Sequence, residues 1–113
     1  MAVQAGSRSR GQASAVAMFG GALVRRTLAV GERMLLAEFH ATAGGEVPAH
    51  AHDFEQVGYL ASGRLDFTIG GVVHRIEPGG GYTIPAGVVH SAKVLEDAVV
   101  VEVFSPPRDD YRD

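Results

Sequence analysis

From Ala22 onward, short runs of β-branched and aromatic residues alternate with clusters of glycine, and no stretch keeps the 3.6-residue period of an amphipathic helix. The runs cover residues 22–30, 33–41, 46–50, 55–61, 64–69, 72–76, 82–84, 91–95 and 98–104. Between them lie Ala43-Gly44-Gly45, Ser62-Gly63, Gly70-Gly71 and Pro78-Gly79-Gly80-Gly81. Gly70-Gly71, set between Phe67-Thr68-Ile69 and Val72-Val73, predicts a two-residue hairpin, because the primed turns of such loops need positive φ. So many short strands at close spacing predict a sandwich or a barrel. Most of the 15 glycines sit at these corners, and none forms the strand-to-helix loop that cradles a nucleotide phosphate.

A chain of 113 residues, 46% apolar, is large enough for one core and predicts a single folded domain. Net charge is only −3 and no basic run exceeds Arg25-Arg26, which argues against nucleic-acid or anionic-membrane partners. Cysteine is absent, so disulfides, thiolate catalysis and sulfur-ligated metals are excluded, and any metal must be held by nitrogen and oxygen. The longest apolar stretch, around Val99 to Val103, contains Glu102 and falls far short of the roughly 20 residues of a spanning helix. Arg8 and Arg10 precede a mildly apolar segment that Gly20, Gly21 and Arg25-Arg26 interrupt, so no signal-peptide core is read and the expectation is a cytoplasmic protein. Residues 1–17, rich in Ala, Gly, Ser, Gln and Arg, are read as an extension that the fold does not require. A flexible tail is favoured there over a strand exchanged with a partner subunit. Residues 18–113 then form the domain with a short C-terminal tail.

Candidate chemistry begins at His50, His52 and Gln56. They share one parity, so on an extended strand all three side chains point to the same face, provided the strand curves around a common ion. A second cluster, Gly79, Pro85, Gly87 and His90, combines a sharp turn with a third imidazole. Three neutral imidazoles and an amide would leave a divalent ion its full charge, which suits Lewis-acid chemistry on an anionic substrate. His40 and His74 have no partner at ligand spacing and are read as locally satisfied or solvated. Glu102, embedded in an apolar strand, is costly to bury unless paired, hydrogen-bonded or protonated. It shares parity with Phe104, so both face the cavity if the strand lines a barrel, and Arg108 follows Pro106-Pro107 at the rim. The alternative has Glu102 facing outward and Arg108 opening a polar tail.

Both histidine clusters resemble the two motifs of the cupin superfamily. The first, running from glycine through His-x-His and an acidic residue to a second glycine, is met by Gly44, His50, His52, Gln56 and Gly63. The second, running from glycine through Pro-x-Gly to histidine, is met by Gly79, Pro85, Gly87 and His90. The resemblance spans Met18 to Phe104 and implies an all-β, double-stranded β-helix (jelly-roll) barrel holding one divalent ion. Gln56 stands where the family has glutamate, with Glu55 expected to point away, and Val94 stands at the position of the final asparagine. Within the superfamily, the run from His50 to Gly63 and the C-terminal stretch are similar to the pectin-degradation cupins that convert 4,5-unsaturated uronates to linear keto acids. That resemblance implies metal ligation by His50, His52, Gln56 and His90, with Glu102, Phe104 and Arg108 acting on substrate. The acidic residue of that group is usually Asp, so Glu102 departs by one methylene.

The leading expectation is therefore a metal-dependent cupin acting on a sugar acid. In it Glu102 moves the proton, Phe104 packs on the apolar sugar face and Arg108 pairs with the carboxylate. An iron-dependent dioxygenase and a non-enzymatic ligand-binding module are the alternatives. Nickel, zinc, iron, manganese and cobalt all suit such donors. The apolar strands at residues 22–29 and 33–39 alternate poorly, as strands covered on both faces do, and predict a homodimer.

Overall fold

The computed structural model describes residues 5–112. Its strands are β1 (Val16–Met18), β2 (Leu23–Val30), β3 (Leu35–Ala41), β4 (Glu46–His50), β5 (Glu55–Ile69), β6 (Val72–Ile76), β7 (Gly81–Ile84) and β8 (His90–Ser105). Short 3-10 turns lie at Arg10–Gln12, Phe19–Gly21 and Asp109–Tyr111. The antiparallel order is β1-β2-β3-β8-β5-β6, with β4 paired to β8 and β7 to β5. Gly70 and Gly71 both take positive φ at the β5–β6 hairpin, as that turn type requires.

β5 and β8 each join two of the runs read from the sequence. Ser62-Gly63 is a bulge and not a turn, because the β5–β8 ladder continues past it with register shifts at Ser62 and Arg64. The backbones touch there: a Cβ on Gly63 would lie 2.3 Å from the Asp97 carbonyl oxygen. Bent at this corner, the first half of β5 and the second half of β8 pair with β7 and β3, while their other halves pair with β6 and β4. The result is a jelly-roll barrel closed at the corner and open at the far end, where the start of β5 and both ends of β8 meet.

Alternation decides what fills it. Leu35, Ala37, Phe39 and Ala41 of β3 and Ala98, Val100, Glu102 and Phe104 of β8 turn inward and are buried. Leu60 and Ile84 are fully buried, each worth about 1.5–3 kcal/mol in apolar surface removed from water.

The described part of the N-terminal extension packs on its own barrel. β1 pairs with β2 through Val16↔Arg25 and Met18↔Leu23, so strand pairing begins two residues before the boundary expected at Met18. Arg10 makes an ion pair with Glu38, which also meets His40 Nε2 at 2.8 Å. Arg10 and, more weakly, His40 hold the Glu38 carboxyl below its ordinary value against the opposing effect of burial. Residues 1–4 of the extension lie outside the described residues. His74 is exposed. Among the described residues no helix is long and apolar enough to cross a membrane.

At the other terminus, the tail turns back against the inward faces of β2 and β3. Thr27 Oγ1 donates to the Tyr111 carbonyl at 2.6 Å, and the Tyr111 ring lies between the guanidiniums of Arg25 and Arg108 at 4.2 and 3.9 Å.

Candidate metal centre

Three chain segments deliver the imidazoles. His50 ends β4 and pairs across the ladder with His90, the first residue of β8, while His52 stands in the loop before β5. Shared strand parity is thus not what unites the first cluster, since β4 stops at His50 and Gln56 belongs to β5. The loop is held instead by the second motif: Gly87 N–H donates to the His52 carbonyl at 2.7 Å. One possible ligand atom from each of His50, His52 and His90 lies within 4.8 Å of the others, and the His50 and His90 ring centroids are 4.2 Å apart.

Hydrogen bonds set the tautomers. Nδ1 of His50, His52 and His90 meets the carbonyls of Pro48, Phe54 and Val88 at 2.8, 3.1 and 2.9 Å. A carbonyl can only accept, so each Nδ1 carries the proton and each Nε2 is left with a lone pair. Burial, supported by the charges of His50, His52 and Arg108, pushes the His90 pKa down against the Val88 bond, which favours the neutral ring a metal needs.

Gln56 lies beside this cluster and could offer a fourth donor. Its side chain is buried while Glu55 is exposed, as expected from their opposite parity. Nε2 of Gln56 donates to Glu102 Oε2, which turns Oε1 toward the histidines, 3.0 Å from His52 Nε2. Two acceptors at that distance need a proton or a cation between them. Three imidazole nitrogens and one amide oxygen therefore fit a divalent ion, with no sulfur and no carboxylate among the donors.

Glu102 faces inward, as its parity predicts, and is 6% exposed. Burial raises its pKa above the ordinary glutamate value, against the hydrogen bonds from Tyr82 and Gln56 and the charge of Arg108. Tyr82 was not singled out by sequence, yet its hydroxyl donates to the same Oε2 atom that accepts from Gln56. Burial, with the charge of Glu102, pushes the Tyr82 phenol well above its ordinary value, so it remains a donor. The contact depends on Gly58, which pairs with Tyr82 on one side and Glu102 on the other. A Cβ on Gly58 would lie 2.2 Å from Tyr82 Cζ, so only glycine lets the phenol cross over β5. The available signal was Gly58 itself, a glycine inside a strand run.

Phe104 departs from its expected role. It is 1% exposed and packs edge-on against Phe39, Tyr111 and His52, with centroids 6.4, 5.3 and 6.4 Å away, so it supports His52 from beneath and has no free face for a solute. The Arg108 guanidinium lies 5.0 Å from the Phe54 centroid, and its charge acts on both Glu102 and His90. Its Nε and Nη2 bind the Asp110 carboxylate at 3.1 and 2.8 Å. These bonds and the Arg108 charge hold Asp110 below the ordinary aspartate value although burial works the other way. They occupy one fork of the guanidinium and leave the Nη1/Nη2 fork for a ligand. Tyr111, which fixes the ring stack under Arg108, was another residue the sequence did not single out.

Comparison with known proteins agrees with this architecture. The family model described as a cupin domain matches residues 37–105. None of the curated proteins matches in sequence. Among solved structures, KdgF from Halomonas sp. superposes with a TM-score of 0.87 at 24% identity, covering 95% of this chain and 98% of that one. An RmlC-like cupin from Shewanella frigidimarina NCIMB 400 gives 0.82 at 27% identity, with 89% and 90% covered. The polyketide cyclase RemF from Streptomyces resistomycificus gives 0.76 at 23%, with 94% and 82% covered. Identities near or below 25% speak for a common fold and leave activity open. With the family model spanning more than half of the chain and both histidine motifs meeting at the open end of the barrel, the protein belongs to the cupin family.

Proposed function

We propose that this cupin converts a 4,5-unsaturated uronate, a breakdown product of pectin or alginate, to its linear keto form. The observation that carries the reading is Glu102, a buried carboxyl of raised pKa bonded to the side chain of Gln56 beside three converging imidazoles. The resemblance of the His50–Gly63 run and the C-terminal stretch to uronate-ketonising cupins supports it, on a fold shared with KdgF from Halomonas sp..

His50, His52, Gln56 and His90 would hold one divalent ion, with nickel, zinc, iron, manganese and cobalt all compatible with the donors. Such an ion supplies Lewis-acid polarisation of a substrate oxygen. The reaction is an isomerisation in which the anomeric hydroxyl loses its proton as the ring C–O bond of the hemiacetal breaks to give an aldehyde. The freed ring oxygen takes a proton as an enol, and that enol then loses its oxygen proton while one is delivered to the neighbouring carbon. A carboxyl whose proton affinity is raised by burial and whose position is fixed by hydrogen bonds serves that exchange, and Glu102 fills the role. Its Oε2 is fixed by Gln56 and Tyr82, while Oε1 takes part in neither bond. Arg108, steadied by Asp110, presents its open fork to the substrate carboxylate. The exposed Val57 and Tyr59 on the outer face of β5 support pairing of two copies of the chain, which light scattering tests directly.

The test is loss of ultraviolet absorbance by 4,5-unsaturated galacturonate with metal-loaded protein. Acceleration that disappears in His50→Ala supports the proposal. No acceleration at verified metal occupancy refutes it and brings oxygen-uptake and ligand-binding screens forward.

A further inference from the structure

Three phenyl rings lie near the imidazoles, and two of them belong to the core. Phe104 is 1% exposed and Phe54 packs against the buried cluster. Phe19 is different: it stands outside that cluster, 43% exposed, with its ring centroid 6.3 Å from that of His50.

Its backbone is also unusual. Phe19, Gly20 and Gly21 take φ of +53°, +67° and +94°, a left-handed turn closed by Ala22 N–H donating to the Phe19 carbonyl at 3.2 Å. Glycine adopts such angles freely, whereas a phenylalanine there is strained. β1 holds the turn in place through its ladder with β2. A strained residue that contributes little to the core and faces a cluster of ligands is where a chain sacrifices stability for contact with a solute.

We propose that Phe19 is a substrate-contact residue whose ring forms the outer wall of the site beside His50 and receives the apolar C–H face of a sugar-acid ring. The proposal rests on the sugar-acid reading of the site. It fits the chemistry of such a ligand: hydroxyls and carboxylate turn toward His50, His52 and Arg108, and the remaining ring face needs an apolar surface. With the face of Phe104 buried, Phe19 is the ring on that side that can provide one among the described residues.

Phe19→Gly separates contact from scaffolding. On metal-loaded protein with 4,5-unsaturated galacturonate, KM should rise roughly tenfold, the loss of one aromatic contact, with kcat within about twofold. The melting temperature should hold or increase, because strain is relieved. Phe19→Tyr should restore KM. A normal KM in Phe19→Gly, or a fall in melting temperature in Phe19→Gly and Phe19→Ala alike, overturns the proposal and makes the ring a structural prop. Calorimetric titration with saturated galacturonate separates the two readings. If the wild type binds without turnover, the reaction is refuted and Phe19 is judged by a roughly tenfold weaker Kd in Phe19→Gly. If it neither turns over nor binds, both ideas fall.

Discussion

The two ends of the barrel are built from the same strands and filled in opposite ways. Near the β5–β8 corner the inward positions are Leu60, Leu65, Val94, Ala98 and Val100, all apolar and at most 5% exposed. At the open end those strands turn in Gln56, His90 and Glu102, each just as buried but polar. Between the ends, a cavity of about 40 Å³ touches both Leu65 and Glu102. The closed end gains free energy by burial alone, whereas the open end carries a desolvated carboxyl and converging lone pairs that a protein selected only for stability would replace. The difference teaches that the fold is secured at one end so that the other can hold chemistry.

Breaking the secured end should have the largest effect. Leu60→Ala leaves a hole where nothing can collapse easily, and chemical denaturation should show a loss of about 2–5 kcal/mol, with metal bound per folded chain unchanged. A loss of metal binding in the folded fraction would show that the two ends are not separable. Gly58→Ala probes the layer between them. The new Cβ displaces the Tyr82 ring, so stability should fall by about 1–3 kcal/mol and turnover should drop, while Tyr82→Phe should lower turnover without the steric cost. Equal stability in Gly58→Ala and wild type would mean that the phenol does not cross β5.

The smallest effect lies outside the barrel. The folded Glu38 pKa is depressed, so its pairing with Arg10 contributes stability above the ordinary carboxylate value of 4.5, and that contribution is lost as pH falls through the lower folded value. Melting curves of Glu38→Gln should lack this part of the acid-side decline and keep the rest. An unchanged acid limb would show that the N-terminal segment is held by β1 alone.

Much of this arrangement was legible in the sequence because it depends on local rules. Residues 46–50 and 72–76 were read with the bounds of β4 and β6, and Gly70-Gly71 with its turn, since alternation and positive φ are short-range properties. The motif residues His50, His52 and His90 do converge, though through the Gly87 bond to the His52 loop and not through one strand face. Long-range features were hidden. Ser62-Gly63 reads as a turn until β8 is known to follow beside it, and Val16–Met18 is too short to announce a strand. Parity places Phe104 inward but cannot tell how deep it lies. Tyr82 and Tyr111 have roles set by partners 20 and 84 residues away, Glu102 and Thr27, which no local pattern reveals.

The central claim is that Glu102 is the proton-transfer group of a metal centre it does not ligate. Glu102→Gln keeps the side chain's size and an oxygen able to accept from Gln56 and Tyr82. Metal content and turnover of 4,5-unsaturated galacturonate should be measured on the same preparation. The account predicts wild-type metal occupancy with turnover reduced by about a hundredfold or more. Turnover close to wild type at full occupancy would contradict it.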